Sequence, residues 1–269
     1  RSVFPTHGSK ALDKCDGDPI ARWELAASSL QSNPPAERYS IAILDEAQDY
    51  MEPAFEELLD TLLIGGASSG QWKIFLGWRW QFGWYGRCDD EVLTSFRTNS
   101  TRTRELNTNC RNAKVVAAGI EATTSIKMSA LAPGGIFRSI QATQANERDL
   151  IIKAIQSLRA TNDWNDGQIT VLSTSSLEDN SLQIALNDAN IPTESVDENN
   201  ADKVWASKLN KVSVSTVASF KGLENDVIFL EGLASQHGSR EWQLATCYVG
   251  MTRARLALFA TITREMAMT

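Results

Sequence analysis

Short apolar runs rich in β-branched residues alternate along this chain with stretches whose apolar positions recur at helical spacing. That alternation restricts the fold more than any other feature. A buried strand followed by an amphipathic helix of about ten to fifteen residues packs as part of an α/β layer around a parallel sheet. The clearest run is Tyr39-Ser40-Ile41-Ala42-Ile43-Leu44, which ends in acids and reads as a buried parallel strand. Glu52-Pro53 opens a helix with Pro in its first turn, and Phe55, Leu58, Leu59, Leu62 and Leu63 give it one apolar face. Gly65-Gly66 stops it, Ala67 to Gly70 reads as a loop, and Trp72 to Leu76 as the next strand.

Thr98 to Arg104 is polar and carries no apolar residue, so it reads as a linker. Beyond it the spacing predicts helices over 113–125, 146–160, 177–189 and 241–253. It predicts strands over 137–141, 168–172, 212–217, 227–230 and 256–261. With 269 residues, there is enough chain for two compact lobes or one large domain.

Charge and cysteine usage narrow the function classes. The net charge of −7 argues against coating nucleic acid by bulk charge, but leaves room for a local basic groove. Arg97, Arg102 and Arg104 against Glu105 form one local excess, readable as part of such a groove or as a solvated surface. The four cysteines show no C-x-x-C pair and there are only two histidines, which excludes the usual zinc patterns and fits a reducing, cytoplasmic setting. No apolar run approaches the ~20 residues of a membrane-spanning helix. The opening Arg1-Ser2-Val3 carries no signal segment and reads as the start of a fragment.

The most informative stretch is Ile41 to Asp49. Asp45 and Glu46 stand where a buried strand emerges, the edge at which open α/β sheets bind ligands. An Asp there can hold Mg²⁺ directly or through water, and the next Glu can polarise a water for attack on phosphorus. The same acids could instead open a helix, with Asp49 capping the helix that Pro53 begins.

Asp45-Glu46-Ala47-Gln48-Asp49 resembles the acidic, Walker B motif of the superfamily-one DNA helicases related to UvrD, Rep and PcrA. Three further stretches resemble that family in the right order. Leu106-Asn107-Thr108-Asn109-Cys110-Arg111 is similar to its Leu-x-x-Asn-Tyr-Arg motif, with Cys110 in the aromatic position. Thr216 to Glu224 is similar to Thr-x-His-x-x-Lys-Gly-Leu-Glu, with Ala218 in place of the His. Tyr248-Val249-Gly250-Met251-Thr252-Arg253-Ala254 matches Tyr-Val-x-x-Thr-Arg-Ala throughout.

The resemblance implies RecA-like parallel-sheet lobes of the P-loop NTPase type, and ATP, Mg²⁺ and DNA as ligands. A partial first lobe over 1–97 would precede a nearly complete second lobe over 98–269, with no large inserted accessory domain. By the same resemblance, Asp45 holds the metal and Glu46 serves the attacking water. Arg111 and Arg253 reach the γ-phosphate from the second lobe, Arg111 following that lobe's first strand and Arg253 near the end of a late helix. Gly222 lets backbone approach the nucleotide and Glu224 accepts from its ribose. Gln81 stands in register with the family's γ-phosphate sensor, while Trp78 replaces an Asp of that motif. Trp84 and Tyr85 fall where the family places aromatics that stack on DNA bases, although aromatics are more often core.

A Gly-x-x-x-x-Gly-Lys-Ser/Thr loop is missing from the sequence; His7-Gly8-Ser9-Lys10 lacks its first Gly. Two readings follow. In the first, the chain is the C-terminal part of an ATP-dependent helicase or translocase acting on single-stranded or partly duplex DNA, with the phosphate-binding loop upstream, and is inactive by itself. In the second, the departures at Trp78 and Ala218 mark a degenerate module that binds DNA or a protein partner without turnover. A P-loop-fold metabolic enzyme would need a substrate-pocket signature that the sequence lacks.

Overall fold

The computed structural model describes residues 19–77, 88–175, 177, 180–196, 200, 210–233 and 239–262. The chain divides into two compact units, Arg1–Glu105 and Leu106–Thr269.

The first unit contains α1 (Pro19–Ser32), β1 (Ile41–Leu44), α2 (Pro53–Leu62), the single turn α3 (Gly66–Ser69), β2 (Gln71–Ile74) and α4 (Asp90–Asn99). β1 and β2 pair in parallel, Ile41 opposite Gln71 and Leu44 opposite Ile74. One face of this small sheet, with Ala42, Leu44, Trp72 and Ile74, packs on a core that includes Met51, Phe55, Leu59 and Phe96. The other face leaves Ile41 54% and Ile43 66% exposed. Trp23, Tyr50 and Phe55 close the core with ring centroids 5.2–5.7 Å apart.

Two expectations are corrected here. The segment after Gly66 is a helical turn, not a loop, because the Asp60 carboxylate accepts from the Ala67 amide at 2.7 Å and starts it. The polar stretch also begins later than Thr98. Asp89 caps α4 by accepting from the Glu91 and Val92 amides, and Val92, Leu93 and Phe96 bury one face. That burial carries the helix through Asn99, past the boundary read at 97/98, and puts Arg97 in its last turn.

The second unit contains α5 (Lys114–Thr124), β3 (Ile136–Gln141), α6 (Glu147–Ala160), β4 (Ile169–Ser173), α7 (Ser181–Asp188) and β5 (Thr193–Ser195). β6 (Val212–Thr216), β7 (Asn225–Glu231), α8 (Arg240–Met251) and β8 (Ala254–Ile262) follow among the described residues. The six strands form one sheet in the order β3-β8-β7-β4-β6-β5, parallel throughout. This is a mixed α/β architecture with helices between parallel strands, as the alternation predicts.

β4 is buried along its whole length. Ile169 and Val171 pack there with Val214, Val227 and Phe229, and Phe229 stacks on Phe259 at 4.5 Å. The side to which the next strand is added switches about the β4–β7 pair: β4 leads through α7 to β5 on one side, and β7 leads through α8 to β8 on the other. Among the described residues, no helix is long and apolar enough to cross a membrane.

Candidate functional site

In the first unit the acidic string is fastened to the carboxyl end of the paired strands. Asp45 is exposed just beyond β1. Glu46 sits in the left-handed region at φ 49°, a conformation that costs a non-glycine residue about 1–3 kcal/mol unless its surroundings impose it. Those surroundings are visible. The Glu46 amide donates to Asp45 Oδ1 at 3.0 Å, and the Glu46 carboxylate accepts from Gln48 Nε2. Gln48, 1% exposed, accepts from the Gly77 amide at 2.8 Å, and the Ala47 amide donates to the Phe75 carbonyl. The string Asp45 to Gln48 is thus tied to the segment leaving β2.

Tyr50 lies beside these acids. Its hydroxyl pKa is raised first by burial, then by the negative charges of Asp49, Glu46 and Asp45. The capping role considered for Asp49 is not what forms: the N-cap of α2 is Glu52, with Pro53 at the first helical position.

Among the described residues no group of three metal-ligating side chains occurs. What Asp45 offers is one exposed carboxylate, whose Oδ1 also accepts from the Glu46 amide. Mg²⁺ suits such a place, because it keeps several waters and commonly takes one or two carboxylates together with substrate phosphates.

In the second unit, Arg111, Glu224 and Arg253 come together at the amino ends of β7 and β8. Arg111 Nε donates to Glu224 Oε2 at 2.6 Å, across 113 positions of sequence. The side chains are 38% and 39% exposed, so this pair contributes only ~0–1 kcal/mol to stability. Arg255 approaches the same carboxylate at 3.9 Å and Asp226 at 3.6 Å.

Arg253 is 3% exposed. Its Nε donates to the Val249 carbonyl at 3.0 Å and its Nη1 to the Leu223 carbonyl, next to Glu224, at 3.4 Å. Tyr248 shares this neighbourhood. Burial raises its pKa, and the positive charges of Arg253 and Arg111 pull the other way.

Two placements differ from the sequence reading. Arg111 follows no strand: Asn109 makes only an isolated bridge to Ala130, and the chain then enters α5. Arg253 lies outside the late helix, because α8 ends at Met251, Thr252 caps it and β8 starts at Ala254. Arg253 adds to that helix end, its backbone amide donating to the Gly250 carbonyl at 3.2 Å.

Gly222 has φ +84° and an added Cβ would meet nothing within 4 Å, so it serves the turn and leaves open space above it. Ala218, in the His position, is exposed. Leu106, first residue of its motif, is 88% exposed. Trp78, Gln81, Trp84 and Tyr85 lie outside the described residues.

The sequence reading passed over two buried polar groups. Asn112 is 1% exposed and lies directly after Arg111. Glu147 is 4% exposed; it accepts from the Gly232 amide at 2.7 Å and from the Thr261 hydroxyl, joining α6 to β7 and β8. Beside it Arg148 pairs with Glu231 at 2.8 Å and donates to Ser181 Oγ at 2.6 Å. An isolated polar residue at a helix start gives no signal of burial, because its partners lie in strands far along the chain.

No protein-family model matches the chain, and no curated protein matches it in sequence. Among solved structures it is similar to the C-terminal domain of a possible DNA helicase from Lactobacillus plantarum WCFS1. The identity is 16% and the TM-score 0.42, over 58% of this chain and 88% of that one.

Proposed function

We propose that this chain is the C-terminal part of an ATP-dependent DNA helicase or translocase of the superfamily-one, UvrD-like type, built on RecA-like lobes. The observation that carries the reading is the meeting of Arg111, Glu224 and Arg253, drawn from three separately recognised motifs, at one edge of a parallel sheet. Nothing local brings them together, and a site for a nucleotide's charged end is a reason for the motifs to converge.

In this reading Asp45 holds Mg²⁺, which would draw charge from the β- and γ-phosphate oxygens. Glu46 accepts a proton from the attacking water. Arg111 and Arg253 present fixed donors to the charge that spreads over the equatorial oxygens, and Glu224 accepts from the ribose. Gln81 senses the γ-phosphate, and Trp84 and Tyr85 stack on bases of single-stranded or partly duplex DNA.

One observation favours the alternative, a module without turnover: the Arg253 donors face the Val249 and Leu223 carbonyls. A finger arginine must exchange those contacts for phosphate. The deciding experiment is DNA-stimulated ATP hydrolysis by the protein that carries this chain together with a phosphate-binding loop. Arg253→Ala is expected to lower kcat by ~10³ or more while nucleotide affinity changes far less. Turnover preserved within a few-fold would leave Arg253 as a helix-end cap and favour the silent module. The 269-residue chain by itself is expected to release no phosphate above a Glu46→Gln control.

A further inference from the structure

The two arginine-bearing turns are joined by one buried side chain. Asn112 Nδ2 donates to the Thr252 carbonyl at 3.2 Å and also to the Ala254 carbonyl, the carbonyls of the residues before and after Arg253. Its Oδ1 accepts from Asn109 Nδ2 at 2.7 Å. Asn109 Oδ1 in turn accepts from the backbone amides of Arg111 and Asn112, at 2.9 and 3.1 Å. One residue further on, the Ala113 amide donates to the Arg255 carbonyl at 2.8 Å.

The amide of Asn112 therefore has both donors and its acceptor engaged, which suits a group 1% exposed. Its geometry is also specific. A single –NH₂ group spans the carbonyls of Thr252 and Ala254, the residues before and after Arg253, while the rest of the amide is locked to the Asn that orients the Arg111 backbone. Neither turn can shift along the sheet edge without breaking this clamp.

We propose that Asn112 is the positioning residue that holds the Arg253 turn in register with the Arg111 turn, so that both guanidinium groups address one anion. The inference rests on the anion-binding reading of those arginines, but the positioning itself can be read without any ligand.

Asn112→Asp is the sharpest probe. It keeps size and the oxygen that faces Asn109, removes both donors, and sets a carboxylate oxygen against two carbonyls. Asn112→Ser, which retains one short donor, is the milder second variant should the first unfold. Both are made in the 269-residue chain and read in two ways. The first is the Nε–Hε NMR signal of Arg253, held by the Val249 carbonyl. The signal of Arg148, held by Glu231, serves as the internal reference. The second is the affinity for inorganic tripolyphosphate by calorimetry, alongside Arg111→Ala and Arg253→Ala.

The expected result is a shifted or broadened Arg253 signal with Arg148 unmoved, and tripolyphosphate affinity lowered about tenfold, close to the loss in either arginine variant. A role in stability alone would lower Tm and leave both readings of the folded protein unchanged, which overturns the proposal. An unmoved Arg253 signal in a folded Asn112→Asp overturns it as well. A moved signal with no effect of the arginine variants on tripolyphosphate upholds the positioning and removes the nucleotide reading instead.

Discussion

Burial pushes the Cys247 thiol up to about 12, from an ordinary value of 9.0, because a thiolate on α8 would lose its water without gaining a partner charge. The group is neutral in the folded chain across the pH range in which it ionises in the unfolded one. Its contribution is therefore complete below pH 9 and is lost as pH rises toward 12. Folding stability should fall above pH 9 by on the order of 1 kcal/mol per pH unit from this group. Urea midpoints at a series of pH values check this. In Cys247→Ala the alkaline slope should flatten, whatever the starting level. At this scale the sequence was most readable where residues form ordered motifs. Arg111, Glu224 and Arg253 could be singled out through the resemblance of their motifs, and the structure sets Arg111 on Glu224 and Arg253 on the neighbouring Leu223 carbonyl. The direction of the Arg253 donors could not, since it is decided by backbone carbonyls whose positions depend on the finished sheet.

Helix α5 lies so close on β3 that Gly119 has no room for a side chain: an added Cβ would stand 2.2 Å from the Phe137 ring. Gly119→Ala should therefore destabilise the second unit by ~1–3 kcal/mol through overpacking, although Ala is the better helix former by about 1 kcal/mol. Thermal unfolding gives the sign directly; a rise in Tm would mean that the helix and strand separate easily. Elements with strong periodicity were legible: β4, β6, β7 and the helices α2, α5, α6 and α8 all fall within a few residues of their expected spans. Three kinds escaped. β5 is a polar three-residue strand, too short to show alternation. α1 has little amphipathic contrast because small residues such as Ala26 and Ala27 do its packing. α4 did carry a signal, Asp89 before an acidic first turn with Val92, Leu93 and Phe96 behind it. Its polar last turn blended into the linker that follows.

On the scale of the whole molecule, the two units differ in the sheets that their described residues form. The second has six strands among them. The first has a parallel pair whose outer face exposes Ile41 and Ile43, an unusual condition for parallel strands, which are nearly always covered on both sides. The second unit's order has β8 between β3 and β7, and among the described strands β3 pairs with β8 alone. Deleting residues from 254 onward should thus remove two strands from the sheet rather than one. Hydrogen exchange should then find Phe137 to Gln141 unprotected along with the loss of β8, while β4 and β6 keep their mutual pairing. Protection of β3 in the shortened chain would contradict the strand order.

The same order has a consequence for a chain still being made. More than a hundred residues separate Gln141 from Ala254. At ~5–20 residues per second of ribosomal synthesis, β3 waits on the order of ten seconds for β8, its neighbour among the described strands. Throughout that wait its apolar residues lack the strand they pair with in the finished sheet. Closure of the sheet therefore comes last, when β8 fills the place between β3 and β7.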